Sequence, residues 1–170
     1  MYRRSALAMM LTAVLLSPTA HAESPPIRTP EDLHVGMIRD AVVDGFAAGC
    51  PNCTFRGDGK SVVVIDGLAP AYGELRSTVT LSVKNGRIVM IKTVYVTDNR
   101  RAANAVYDGL VARRDAAKWP SHELTDEAGL ARCLRGVFGN APTEICNYFS
   151  ADAVLQPVVL LESLPDEGPR

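Results

Sequence analysis

Histidine is scarce: the 170-residue chain has three, His21, His34 and His122. Only two of them follow residue 22, so a metal centre built on several imidazoles is not expected, nor is any other cofactor. No G-x-S-x-G segment occurs, which removes the strained turn that presents a nucleophilic serine. An excess of charge is also missing, since 18 Lys and Arg stand against 19 Asp and Glu for a formal net charge of −1. Nucleic acid and anionic membrane surfaces select for a strongly basic face, so neither is expected as a partner. After the first 22 residues there is no second long apolar run, no sequence repeat and no low-complexity tract.

What the chain does have begins with the three parts of a secretory signal over residues 1–22. Arg3 and Arg4 supply the positive end, and Ala6 to Leu16 is an uncharged apolar run too short to span a bilayer. Pro18 interrupts it, and Ala20-His21-Ala22 places small residues where a signal peptidase reads. Cleavage after Ala22 takes Arg3 and Arg4 away and moves the formal charge from −1 to −3. No cysteine adjoins the site, so lipid attachment there is not expected. The expectation is a periplasmic or secreted protein with no membrane insertion after cleavage, one domain over residues 23–165 and a disordered tail over 166–170. On a eukaryotic secretory route, Asn52-Cys53-Thr54 becomes a glycosylation sequon.

All four cysteines, Cys50, Cys53, Cys133 and Cys146, follow the signal. An even number in an exported chain reads as two disulfides. Of the three possible pairings the local one is expected, Cys50 with Cys53 and Cys133 with Cys146, because short loops close readily.

Thr29-Pro30-Glu31-Asp32 has the makings of a helix start, with a capping Thr, Pro at the first position and acids at the positive dipole end. Ile38, Ala41, Val42, Gly45 and Phe46 continue it at helical spacing up to Gly49. Thr54–Phe55 and Ser61–Ile65 read as short strands joined by Gly57-Asp58-Gly59, and Pro70 and Gly73 mark a looser connection. Ser77–Lys84 and Arg87–Val96 flank Asn85-Gly86, the preferred two-residue hairpin turn. The implied register sets Lys84 against Arg87, Val83 against Ile88 and Leu81 against Met90. It gives a core face of Val79, Leu81, Val83, Ile88, Met90, Val94 and Val96. The other face carries Thr78, Thr80, Ser82, Val89, Ile91, Thr93 and Tyr95.

A second helix is expected from a Thr97 or Asp98 cap to about Lys118, with Ala103, Val106, Tyr107 and Leu110 inward. A third is expected from Thr125, with Leu130, Cys133, Leu134, Val137 and Phe138 as its apolar stripe. Ala153–Leu161 then reads as a strand, which Pro157 demotes to an edge or to two short pieces. The predicted class is α+β, with helices packed on one face of a twisted, mainly antiparallel sheet in the order α-β-β-β-β-α-α-β.

Cys50-Pro51-Asn52-Cys53 is the most reactive-looking segment. A C-x-x-C pair that opens a helix gains thiolate character from the dipole, but this one follows a helix, where the dipole has the opposite sign. A staple is therefore the first reading, and an envelope thiol–disulfide oxidoreductase is the alternative. A four-cysteine zinc site lacks a second close pair. His122-Glu123 resembles the first half of a zinc-protease helix, but the second histidine's position holds Asp126. Gly57-Asp58-Gly59-Lys60-Ser61 resembles the end of a phosphate loop, but its upstream glycine is Thr54 and a strand follows it. Asp44, Asp66, Glu74 and Asp98 are available to a carboxylate-dependent hydrolase, and their spacing singles out no pair.

No catalytic residue is assigned. The expectation is a small, disulfide-stabilised binding domain, of inhibitor or immunity type, acting on another envelope or extracellular protein. The sheet face of Thr78, Thr80, Ser82, Val89, Ile91 and Tyr95 is its expected contact surface.

Overall fold

The computed structural model describes residues 26–68, 75–126, 129–149 and 156–164. The expected signal over 1–22, the leader as far as Pro25, the Pro70–Gly73 connection, the expected strand start at Ala153 and the expected tail over 166–170 lie outside the described residues. The elements are α1 (Arg39–Gly49), β1 (Thr54–Arg56), β2 (Val62–Leu68), β3 (Arg76–Lys84), β4 (Arg87–Thr97), α2 (Arg100–Arg113), β5 (Ser121–Asp126), β6 (Gly129–Phe138), β7 (Ala141–Phe149) and β8 (Gln156–Ser163). All eight strands form one antiparallel sheet in the order β1-β2-β3-β4-β8-β7-β6-β5. The chain thus runs twice through a helix followed by a four-strand meander, and the two units join along β4 and β8.

This corrects the predicted α+β class and its element order, because the fold is sheet-dominated and two α-helices occur among the described residues. The third helix does not form, and its residues divide between β5 and β6. Leu134 is buried against the α2 side of the sheet, while Ala131 and Cys133 are buried on the other side. A strand that is apolar on both faces loses its period of two and mimics a helical stripe. Tertiary contacts settle the matter. Cys133 pairs directly across the ladder with Cys146, and Gly136 lies so close to the Trp119 ring that an added Cβ would stand 2.3 Å from it.

The first helix begins later than predicted. Thr29 and Asp32 close only a single 3-10 turn over Pro30–Asp32, where the Arg28 and Thr29 N–H groups donate to Asp32 Oδ2 at 3.0 and 2.9 Å. The chain then runs beside the start of β4, with Gly36 N–H donating to the Ile88 carbonyl at 2.7 Å and Ile88 N–H to Met37 at 2.9 Å. Gly36 takes a φ of 90°, which stops a helix before Arg39. Asn99 caps α2 in place of Thr97 or Asp98, its side-chain oxygen accepting from Arg101 and Ala102. α2 stops at Arg113, and a separate 3-10 turn covers Ala116–Lys118.

β8 is central, although Pro157 had suggested an edge. Pro157 stands opposite Val96 one residue before the β7 ladder starts at Val158, so its missing N–H falls where β8 has a neighbour on one side only.

Both helices lie on the same side of the sheet. Val42 and Phe46 of α1 cover Val63, Ile65, Val79, Leu81, Ile88 and Ile91, and Ala103, Val106 and Leu110 of α2 cover Tyr95, Ile145, Val158 and Leu160. Thr93 stands between Ile91 and Tyr95, fully buried, and its hydroxyl has no hydrogen-bond partner among the described residues. An unsatisfied buried hydroxyl is destabilising, and Val reproduces its shape. Thr93→Val is expected to raise stability by about 1 kcal/mol, seen as a higher urea midpoint at unchanged slope. A lower midpoint would mean that the hydroxyl makes a bond that matters.

Candidate functional site

Among the described residues no helix packs on the opposite side of the sheet. Its make-up follows from one irregularity. Asn85 and Gly86 turn with φ of 53° and 71°, and Lys84–Arg87 and Val83–Ile88 pair as the turn dictates. The next pair is Ser82 with Met90, which leaves Val89 as an extra residue, a β-bulge. One inserted residue exchanges the two faces of everything beyond it. Leu81 therefore pairs with Ile91 and not with Met90.

The six residues expected as a contact surface are consequently divided. Thr78, Thr80 and Ser82 lie on the uncovered face and are half-buried. Ile91 and Tyr95 are fully buried under the helices, with the Tyr95 hydroxyl donating to Glu31 Oε1 at 2.8 Å. Val89 sits in the bulge, and its carbonyl accepts from Leu164 at 2.8 Å. Met90, Lys92, Val94 and Val96 take the vacated places, so three residues expected in the core, Met90, Val94 and Val96, face outward.

The register aligns two rows across this face. One runs Thr54, Asp66, Thr78, Val94, Val159, Cys146, Cys133, His122 over all eight strands. The other runs Arg56, Val64, Thr80, Lys92, Leu161, Glu144, Arg135. The centre is apolar and the ends are polar. At one end Arg56 Nε donates to Asp66 Oδ2 at 2.9 Å and the Thr78 hydroxyl to Oδ1 at 2.7 Å. The Thr78 hydroxyl first, and then the Arg56 guanidinium, hold the Asp66 carboxyl below its ordinary range. At the other end Glu144 accepts from Arg135 Nε at 2.8 Å and lies 3.1 Å from His122 Nε2. Lys92, exposed in the middle, has no carboxylate partner among the described residues.

Both predicted disulfides are formed. Cys133–Cys146 is buried on the uncovered face beneath Leu124, Tyr148 and Val159. The hairpin behind it was legible, since each cysteine lies six residues from the Gly139-Asn140 turn, as a two-residue hairpin with facing cysteines requires. Cys50–Cys53 closes the end of α1, where Cys50 N–H donates to the Phe46 carbonyl at 2.8 Å. That is the negative end of the helix dipole, which disfavours a thiolate.

Donor atoms of His122, Cys133 and Glu144 lie within 4.8 Å of one another. The sulfur is bonded to Cys146 and the carboxylate is engaged by Arg135, so these groups already have other partners. Asp44 and Asp98 are exposed and Asp66 is held by Arg56, so the described acids of the hydrolase reading do not converge; Glu74 lies outside the described residues. No described helix is long and apolar enough to cross a membrane.

Sequence reasoning missed the buried pair Arg114–Glu162, whose side chains are 5% and 6% exposed. Its signal was the alternation Val158, Leu160, Glu162, which puts an acid on the apolar face of β8. The chain matches no protein-family model, no curated protein and no solved structure.

Proposed function

We propose that the chain is an exported, disulfide-stapled protein-binding domain, periplasmic or secreted, whose contact surface is the uncovered sheet face. The observation that carries this reading is the one-sided sheet. A sheet eight strands wide leaves Val64, Val94, Val159 and Leu161 half-buried, with no described element over them. Contiguous apolar surface of this kind, bordered by polar groups, marks interaction sites. The fitting partner presents an apolar strip with a carboxylate placed to meet Lys92. An inhibitor or immunity role suits a domain that offers rigid surface and, among the described residues, no assembled catalytic group. The export signal over 1–22 and the two disulfides support action outside the cytoplasm.

The test uses the mature protein as bait in an envelope or culture extract. A specific partner is expected to bind the wild type and to lose more than tenfold in affinity to Lys92→Glu and Leu161→Glu. Asp108→Lys, on the exposed side of α2, should bind as the wild type does. Equal capture by all four proteins, or no specific capture by the wild type, would reject the sheet face.

A further inference from the structure

The helix side of the sheet holds a cavity that the proposed docking face does not use. Its volume is about 470 Å³, and it is lined by the first 3-10 turn and the stretch after it, the end of α2, the β6–β7 turn and the end of β8. That volume lies within the range of small-molecule sites. Leu33, Val35 and Leu164 supply apolar wall. Arg113 and Arg114 are matched in number by Glu31 and Glu162, so these four lining groups leave no excess of either sign.

Arg114 is the unusual member. Its Nε and Nη2 both donate to Glu162 Oε1, at 3.2 and 2.9 Å, while Nη1 is buried and has no acceptor among the described residues. A buried charged donor without an acceptor is unfavourable, and an oxygen supplied from outside relieves it. The Phe138 ring lies over the guanidinium, 5.1 Å from its centroid, and is itself 42% exposed. It stands at the end of β6 and, like Arg114, lines the cavity.

We propose that the cavity binds a small, uncharged, mainly apolar molecule through one carbonyl oxygen. The Phe138 ring turns aside to admit it, the oxygen accepts from Arg114 Nη1, and the body of the ligand rests against Leu33, Val35 and Leu164. Glu162 already compensates the guanidinium, so a ligand carboxylate at Nη1 would meet a buried acid of its own sign, whereas a neutral acceptor takes the N–H without that repulsion.

Two probes of nearly equal size separate this from general greasiness. Benzophenone carries the carbonyl, and diphenylmethane replaces it with a methylene. Benzophenone is expected to bind one-to-one and about tenfold more tightly than diphenylmethane, which corresponds to one charge-assisted hydrogen bond. On irradiation its carbonyl inserts into nearby C–H bonds, and mass spectrometry should place the adduct on Leu33, Val35 or Leu164. Val35→Trp, which fills the cavity and leaves the ion pair in place, should abolish binding of both probes. Equal affinities, absence of saturable binding, or adducts on Val94 or Val159 of the uncovered face would overturn the proposal. The wild-type probe pair decides the matter even where Val35→Trp fails to fold, and none of these outcomes bears on the sheet-face reading.

Discussion

Replacing Arg114 with Met is expected to destabilise the protein by about 3–5 kcal/mol, the range found when one partner of a buried ion pair is removed. The magnitude comes from what remains. Glu162 is 5% exposed and receives two hydrogen bonds from Arg114 at its Oε1, so truncation strands a carboxylate in a low-dielectric place. Loss of the guanidinium over the Phe138 ring adds to this. Arg114→Met combined with Glu162→Leu is expected to return to within about 1 kcal/mol of the wild type, because an apolar pair of similar volume has no desolvation to offset. Urea denaturation of the wild type, both single variants and the double variant measures the coupling directly. A single-variant loss near the surface-pair value of about 0.5 kcal/mol would show that the pair is hydrated.

The second large effect is expected at the hairpin disulfide. Changing Cys133 and Cys146 together to Ala should cost about 3 kcal/mol, against about 2 kcal/mol for Cys50 and Cys53, by the chain-entropy estimate for closed loops. The sequence separations are 13 and 3, so the first bridge constrains more of the unfolded chain. Packing strengthens the ordering, since Cys133 and Cys146 are buried with Ala131 and are covered by Leu124 and Tyr148. Calorimetry of the two double variants gives both values. A larger loss at Cys50–Cys53 would reverse the order and show that the end of α1 is held mainly by its bridge.

Local chemistry was readable in the chain wherever it acts alone. Asn85-Gly86 specified its hairpin, because the two residues tolerate the positive φ that the turn demands. The bulge at Val89 was not readable, since no Gly or Pro marks it. It is fixed by the contacts that bury Ile91 and Tyr95 under two different helices. That single residue explains why Ile91 and Tyr95, two of the six residues of the expected contact surface, became core. The stripe from Leu130 to Phe138 was misread as a helix for a related reason. Periodicity reports one buried face, and β6 has apolar neighbours on both. The cysteine spacing about Gly139-Asn140 carried the right answer, but only once strand and turn were considered together.

The width of the sheet sets the scale of whatever it meets. Eight strands spaced about 4.8 Å apart span roughly 34 Å, and strands of roughly eight residues, with about 3.4 Å from each to the next, run roughly 24 Å. Their product, on the order of 800 Å², is what one molecule contributes to a complex of standard size. One ordinary folded partner is therefore enough to bury the whole uncovered face. A short peptide laid along one strand would leave most of Val64, Val94, Val159 and Leu161 in water.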